Sequence, residues 1–500
     1  MKPHNHFGKT GLSLVVMVVM TVVPPVTASY AQDKEMFPRR SVFSNAIFFG
    51  DSLTDIGNGP ASLTFDGEPS DGEYFTSDNG IFNNIYVPIS NPVNPRKDTI
   101  LPGTKLWFPP TKRGSRLFRV TLPPELPLCS NQGCVKKTHH SLNWTEYFVY
   151  NGVLKKILKQ GADLRPWIIQ FNDTLASEVS LRQSVNYAFY SALSGEGCTN
   201  VNLFPLPCTF EGQSLQESIF TRQDVYRNNQ SSTNAEANSL LRETVIIPAL
   251  HTQIDIFEVD KDLGQIVINE HTLFIVYTGA NDLAAAFFLF VEGTITFDQF
   301  IQALTIGIPM EIAGGVERLL SLGAKNILVL GQFNLGLTPR LLSMGDIEGP
   351  LAKHEVAAEF DQLLTLYNQS LQAQIGNLES KRIKFIDIQT PIRNAANTFF
   401  IGRHAGYFYS IGEQCVDETA GIIQLGKAAS CFNNNVPVPI GFWNASHLST
   451  QFNQLIAAAV LEEFLPSRVS EPKRFGFHNR FVPQIRLDQL ETQLTTRYRR

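Results

Sequence analysis

A serine hydroxyl becomes a nucleophile only when a base takes its proton and nearby donors accept the charge that forms on the attacked oxygen. Three blocks of this 500-residue chain carry such parts, in order. The first is the apolar run Ala46-Ile47-Phe48-Phe49-Gly50, continued by Asp51-Ser52-Leu53-Thr54-Asp55-Ile56-Gly57-Asn58. It reads as a buried strand that delivers Ser52 to a sheet edge. The second, Gly279-Ala280-Asn281-Asp282, follows the apolar run Leu273-Phe274-Ile275-Val276-Tyr277-Thr278. The third, Phe442-Trp443-Asn444-Ala445-Ser446-His447, opens the last amphipathic helical stretch. Ser52 would attack a carbonyl, His447 would carry the proton, and the Asn281 amide would help bind the oxyanion. The plainer alternatives are a structural histidine and an ordinary turn that caps the next helix, where Asn and Asp are both favoured.

The elements that must position these residues follow from hydrophobic period. Short Ile/Val/Leu/Phe-rich runs at 45–50, 184–190, 272–278, 326–331 and 383–388 suit strands buried on both faces. Between them lie helical stripes. Phe360, Leu363, Leu364, Tyr367 and Leu371 form one, and Leu448, Phe452, Leu455, Ile456, Ala459, Val460 and Phe464 another. Pro309 suits a helix start ahead of Ile312, Val316, Leu319 and Leu320. This alternation predicts an α/β fold, a three-layer sandwich around a mostly parallel, flavodoxin-like sheet spanning 45–466, with the site at the strands' C-terminal edge. Residues 59–135 break the pattern with 11 prolines and read as a large loop-rich insertion after the first strand.

Composition bounds the rest. The chain is 43% hydrophobic and 17% charged, so it can build a core, and its net charge of −5 offers no general attraction to nucleic acid. Residues 467–500 hold eight Lys/Arg against three Asp/Glu, a basic end read as a solvated tail that is able to touch anionic lipid. Lys2 and Lys9 precede an apolar run from Gly11 to Val23 and then small residues. Residues 1–31 therefore read as a signal peptide, and the expected location is secreted, periplasmic or extracellular. Six cysteines agree with an oxidising compartment and fall into neighbouring couples: Cys129/Cys134, Cys198/Cys208 and Cys415/Cys431. A zinc site from Cys129, Cys134, His139 and His140 is the rival use of the first couple; the preferred reading has no metal. Glycosylation sequons begin at Asn143, Asn172, Asn229, Asn368 and Asn444.

Together the three blocks resemble the GDSL (SGNH) family of serine esterases and lipases. The resemblance implies the fold above, ester hydrolysis without any cofactor, and Ser52 and His447 as nucleophile and base. It adds Asn186-Tyr187-Ala188-Phe189-Tyr190-Ser191-Ala192, similar to the family's second block. There Ser191 stands in place of a glycine whose N–H serves the oxyanion hole with the Ser52 N–H and the Asn281 side chain. Asn444 stands where the family has the aspartate that orients the base. An asparagine brings no charge, so a Ser–His dyad, an acid from elsewhere (Asp417 or Asp387) and a catalytically silent relative are all open. The wording of the blocks is similar to exported bacterial lysophospholipases, phospholipases A and glycerophospholipid–cholesterol acyltransferases. That likeness implies an ester or phospholipid substrate, contact with a membrane surface, and an activating protease acting within 416–430. A carbohydrate acetylesterase is the remaining alternative.

Overall fold

The computed structural model describes residues 42–56, 58, 143–162, 164–167, 184–200, 203–209, 212–219, 245–343, 349–378, 382–392, 448, 450–464 and 487–498, with the backbone of short strands at 86–88, 105–107, 117–119, 127–130, 133–137, 410–414, 432–433, 436–437 and 440–442. The expected signal peptide, the 416–430 loop, Asp417, His139, His140, Asn172 and Asn229 lie outside the described residues.

Six parallel strands form the central sheet: β1 (Asn45–Gly50), β2 (Leu164–Pro166), β3 (Ser184–Asn186), β4 (Thr272–Tyr277), β5 (Asn326–Leu330) and β6 (Ile383–Ile386), in the order β6-β5-β4-β1-β3-β2. The flavodoxin-like α/β expectation holds, and the arrangement is consistent with an SGNH hydrolase fold. Strand side chains alternate between faces, so each of β1, β4 and β5 feeds two cores. Ile47, Phe49, Phe274, Val276, Ile327 and Val329 pack on one side with α2 (Leu250–Asp262), α3 (Ala280–Val291) and the helices that follow it. Ala46, Phe48, Leu273, Ile275, Leu328 and Leu330 pack on the other with α1 (Trp144–Leu154) and α7 (Thr450–Glu462). That burial on both faces is why these runs lack polar alternation.

Three expectations are corrected. The strand read at 184–190 ends at Asn186, although Tyr187 N–H still donates to Phe48 O (2.8 Å) and Phe189 N–H to Gly50 O (3.2 Å). Pro309 does not start a helix. It lies inside a continuous run of α4 (Phe297–Gln302), a π-turn at Ala303–Gly307 and α5 (Ile308–Ser321). Proline cannot serve the carbonyl four residues back; here that carbonyl, Thr305 O, takes its donor from the Ser370 hydroxyl of α6 (Gly349–Gly376).

The third correction concerns the basic end, which over α8 (Leu487–Tyr498) is a docked helix and not a solvated tail. Leu490, Leu494 and Tyr498 are buried at i, i+4 and i+8, in the same core as α3 and α6. The Tyr498 ring meets Phe287 edge-on at 5.2 Å, and the Arg497 guanidinium pairs with Glu359 at 3.1 Å and Glu355 at 3.2 Å.

Candidate active site

The nucleophile turn starts from a backbone constraint. A Cβ on Gly50 would lie 2.1 Å from Tyr277 O of the neighbouring strand, so only glycine lets β1 leave the sheet here. Asp51 O then accepts the N–H groups of Thr54 and Asp55, each at 2.9 Å, and closes one α-turn around Ser52. The expected longer helix after Ser52 is absent among the described residues; what faces the site is this single turn.

Ser52, Ser191 and Asn281 follow the C-terminal ends of β1, β3 and β4, three strands that are adjacent in the sheet. Hydrogen bonds fasten the loops to one another. Asn58 Nδ2 donates to Asn186 O (2.6 Å) and Ala188 O (2.8 Å), and Asn186 Nδ2 donates to Thr54 O (2.7 Å). Asp55 accepts from Tyr190 N at 3.0 Å and from Asn58 N at 2.8 Å. On the other side, Asn281 Nδ2 donates to Ala192 O (3.0 Å), while the Asp282 carboxylate takes both Ser194 N (3.0 Å) and Ser194 Oγ (3.0 Å). An amide nitrogen carries two hydrogens, so Asn281 retains one for a ligand.

From beneath, the buried Gln253 of α2 grips the last residue of β1. Its Oε1 accepts Gly50 N–H at 3.0 Å, and its Nε2 donates to Gly50 O at 2.9 Å and Pro248 O at 3.0 Å. Two residues have backbone conformations that bear on the site. Ser191 has φ 53°, the left-handed region in which glycine is at ease and an L-residue is strained. Gly279 has φ 107°, and a Cβ there would stand 2.5 Å from the Tyr367 hydroxyl.

The electrostatics are those of a dry pocket floor. Burial pushes the Asp51 carboxyl up to about 7, with Leu53 and Ala280 N–H groups pulling down and Asp282 pushing further up. Burial likewise raises Asp282 to about 6 against its Ser194 bonds.

The base and its partner sit differently. Asn444 and His447 lie outside the described residues, between the described positions Phe442 and Leu448. The described neighbours are nonetheless tied to the nucleophile turn. Asn143 Nδ2 donates to Leu53 O (2.9 Å), Trp144 N–H donates to Asn453 Oδ1 (3.2 Å), and Asn453 Nδ2 donates to Leu448 O (3.1 Å). Asp387 is exposed, and both its oxygens serve Thr390, at 3.1 Å to N and 2.6 Å to Oγ1.

Of the cysteine couples, Cys198–Cys208 is bonded and staples the segment after Ser191. Cys129 and Cys134 face each other in an antiparallel register; their side chains, and Cys415 and Cys431, lie outside the described residues. No cluster with metal-ligand character occurs among the described residues. Two sequons are corrected by burial. Asn143 is buried as the cap of α1, and Asn368 is buried with its Nδ2 on Gln332 O (2.8 Å) and Gln389 Oε1 (2.8 Å), so neither amide is open to a glycan in the folded chain.

Sequence reasoning named Ser52, Ser191 and Asn281 but missed the side chains that hold their loops: Asn58, Asn186, Asp282 and Gln253. The first three lay inside the quoted blocks as small polar residues at turn positions. Gln253 had no local signal, being one polar residue on an otherwise apolar helix face.

Over 211 residues the chain is 22% identical to a GDSL esterase/lipase of Arabidopsis thaliana, a stretch covering 40% of this chain and 54% of that protein. The resemblance is to a GDSL hydrolase. It supports the GDSL family and a lipase/esterase-type reaction at that level. The chain spans about half the length of the curated relative it matches. No protein-family model matches the chain.

Proposed function

We propose that this protein is an exported serine ester hydrolase acting on lipid acyl esters, of the lysophospholipase or phospholipase A kind, with Ser52 as nucleophile. The observation that supports it most is the convergence of the Ser52, Ser191 and Asn281 loops on three adjacent parallel strands, with hydrogen bonds locking each loop to its neighbour. In this reading Ser52 Oγ attacks the ester carbonyl and passes its proton to His447. The oxyanion is held by the Ser52 and Ser191 N–H groups and the free Asn281 N–H. His447 then protonates the departing alcohol, and water or an acyl acceptor, activated by the same base, resolves the acyl-enzyme. The Leu53–Asn143–Asn453–Leu448 relay supports a place for His447 near the turn, because Leu448 follows it directly. The exposed, Thr390-bound Asp387 argues against that residue as the missing acid. We therefore favour a dyad oriented by Asn444 or a backbone carbonyl. No helix among the described residues is long and apolar enough to cross a membrane, and surface contact with lipid remains part of the proposal.

The test is an ester panel from acetyl to long acyl, including lysophospholipid, run on the wild type and Ser52→Ala. Turnover that rises with acyl length and vanishes in Ser52→Ala supports the reading. A preference for acetyl esters of sugars would replace the substrate class, and no turnover of any ester would favour a silent lipid-binding relative.

A further inference from the structure

Directly behind the nucleophile turn, five buried side chains present polar atoms that have no hydrogen-bond partner among the described residues: Asp51 Oδ2, Tyr277 OH, Thr278 Oγ1, Gln332 Oε1 and Tyr367 OH. They are not scattered. The Asp51 carboxyl acts electrostatically on both Tyr277 and Tyr367, and the two tyrosines act on each other. Gln332 Nε2 donates to Thr278 O at 2.7 Å, which turns its Oε1 toward the same region. The Tyr367 hydroxyl lies against Gly279, and the Ala280 N–H faces Asp51. Nine-tenths or more of buried polar groups in proteins are paired, and each orphan is destabilising. Five at one place amount to a site built for a polar occupant.

We propose that these five residues enclose an internal water site behind Ser52 that fixes the Gly279–Asn281 turn, a positioning role that rests on the serine-hydrolase reading for its catalytic consequence. A buried water makes about three hydrogen bonds, so about two waters satisfy all five groups. The donor and acceptor inventory fits water: three hydroxyls can give or take, Gln332 Oε1 accepts, and Asp51 does either according to its proton. Charged and titratable groups facing Asp51 are Asp282 from α3, Tyr277 from β4 and Tyr367 from α6, with Glu311 of α5 behind Asp282. No cation faces Asp51 in this set, and water is the occupant that leaves a protonated carboxyl comfortable. The chamber also explains Gly279: any side chain there would press on the Tyr367 hydroxyl that the water would hold.

The deciding experiment is thermal unfolding of the exported chain and its Tyr367→Phe and Tyr277→Phe variants. If water satisfies the hydroxyls, each deletion breaks a bonded network and lowers Tm by about 2–4 °C. If the hydroxyls are dry and unpaired, phenylalanine relieves them and Tm stays or rises, which overturns the proposal. Thr278→Val replaces either variant that does not fold, with the same sign expected. A high-resolution crystal structure should show about two waters bridging Asp51, Tyr277 and Tyr367; direct contact among these groups, or a metal cation in their midst, also overturns it. In activity, Tyr367→Phe should lower kcat roughly ten-fold with KM held, as expected for a displaced oxyanion turn. A wild type without esterase activity would end the hydrolase reading and leave the Tm result standing, so the two failures are distinguishable.

Discussion

Replacing Gln253 by leucine probes how firmly the sheet holds the nucleophile turn. The side chain is fully buried and makes three hydrogen bonds, two of them to Gly50, immediately before Asp51 and Ser52. Leucine has similar bulk but offers no polar atom. Gly50 N–H loses its acceptor in a place water does not reach, at roughly 1–3 kcal/mol. Gly50 O keeps the Phe189 N–H at 3.2 Å, so its loss is partial. With Pro248 O, the two weakened carbonyls add roughly 0.5–1.5 kcal/mol each. The sum is a loss of roughly 2–5 kcal/mol. Urea unfolding followed by fluorescence of the buried Trp144 and Trp167 reads it directly. Ser52 labelling by a fluorophosphonate, under conditions where both proteins are folded, should also slow, because the turn loses its anchor on α2. A loss under about 1 kcal/mol with unchanged labelling would refute the view that Gln253 rivets the turn.

Other expectations can be checked alongside. Ser191→Gly removes left-handed strain of about 1–2 kcal/mol but frees the unfolded chain by about 0.5–1 kcal/mol, so stability should change little or rise. The same variant should widen tolerance for branched acyl esters; a stability loss above about 1 kcal/mol would show that the Ser191 side chain is bonded in a way that matters. Asp260, buried beneath Trp167 Nε1 (3.0 Å) and Tyr187 OH (2.7 Å), is raised by burial to about 6. The native state therefore binds more protons than the unfolded one between about pH 4 and 6, and Asp260's contribution is full below that window and lost as pH rises through it. Asp260→Asn should flatten the decline by about 3 kcal/mol between pH 4 and 7, and parallel urea curves for the two proteins would contradict this. Asn444→Asp should raise kcat, by up to about 10⁴-fold if a carboxylate beside His447 acts as in other serine hydrolases; no change or a loss would remove the dyad reading.

What the sequence made legible follows from locality. Strands β1, β3, β4, β5 and β6 are apolar on both faces, so each announces itself within a few residues. The edge strand β2 is three residues long and contains Arg165 and Pro166, leaving no such run. The Pro309 misreading has a definite cause: the residues that relieve the proline are the π-turn just before it and Ser370, 65 positions away. Likewise Gln253 reaches Gly50 across 203 positions, and no local pattern carries that pairing. In α8 the stripe Leu490, Leu494 and Tyr498 was present, but the surrounding excess of arginine favoured a solvated reading. Turn chemistry was the most informative level, since Gly50, Ser191 and Gly279 all stand where the backbone is constrained.

The measurement that bears most directly on the central claim is intact-mass analysis of the wild type and Ser52→Ala after exposure to a fluorophosphonate. A single adduct on the wild type, none on Ser52→Ala, and peptide mapping to the Gly50–Leu53 segment are the predicted results. An unmodified wild type, or an adduct that persists in Ser52→Ala, would contradict Ser52 as an activated nucleophile.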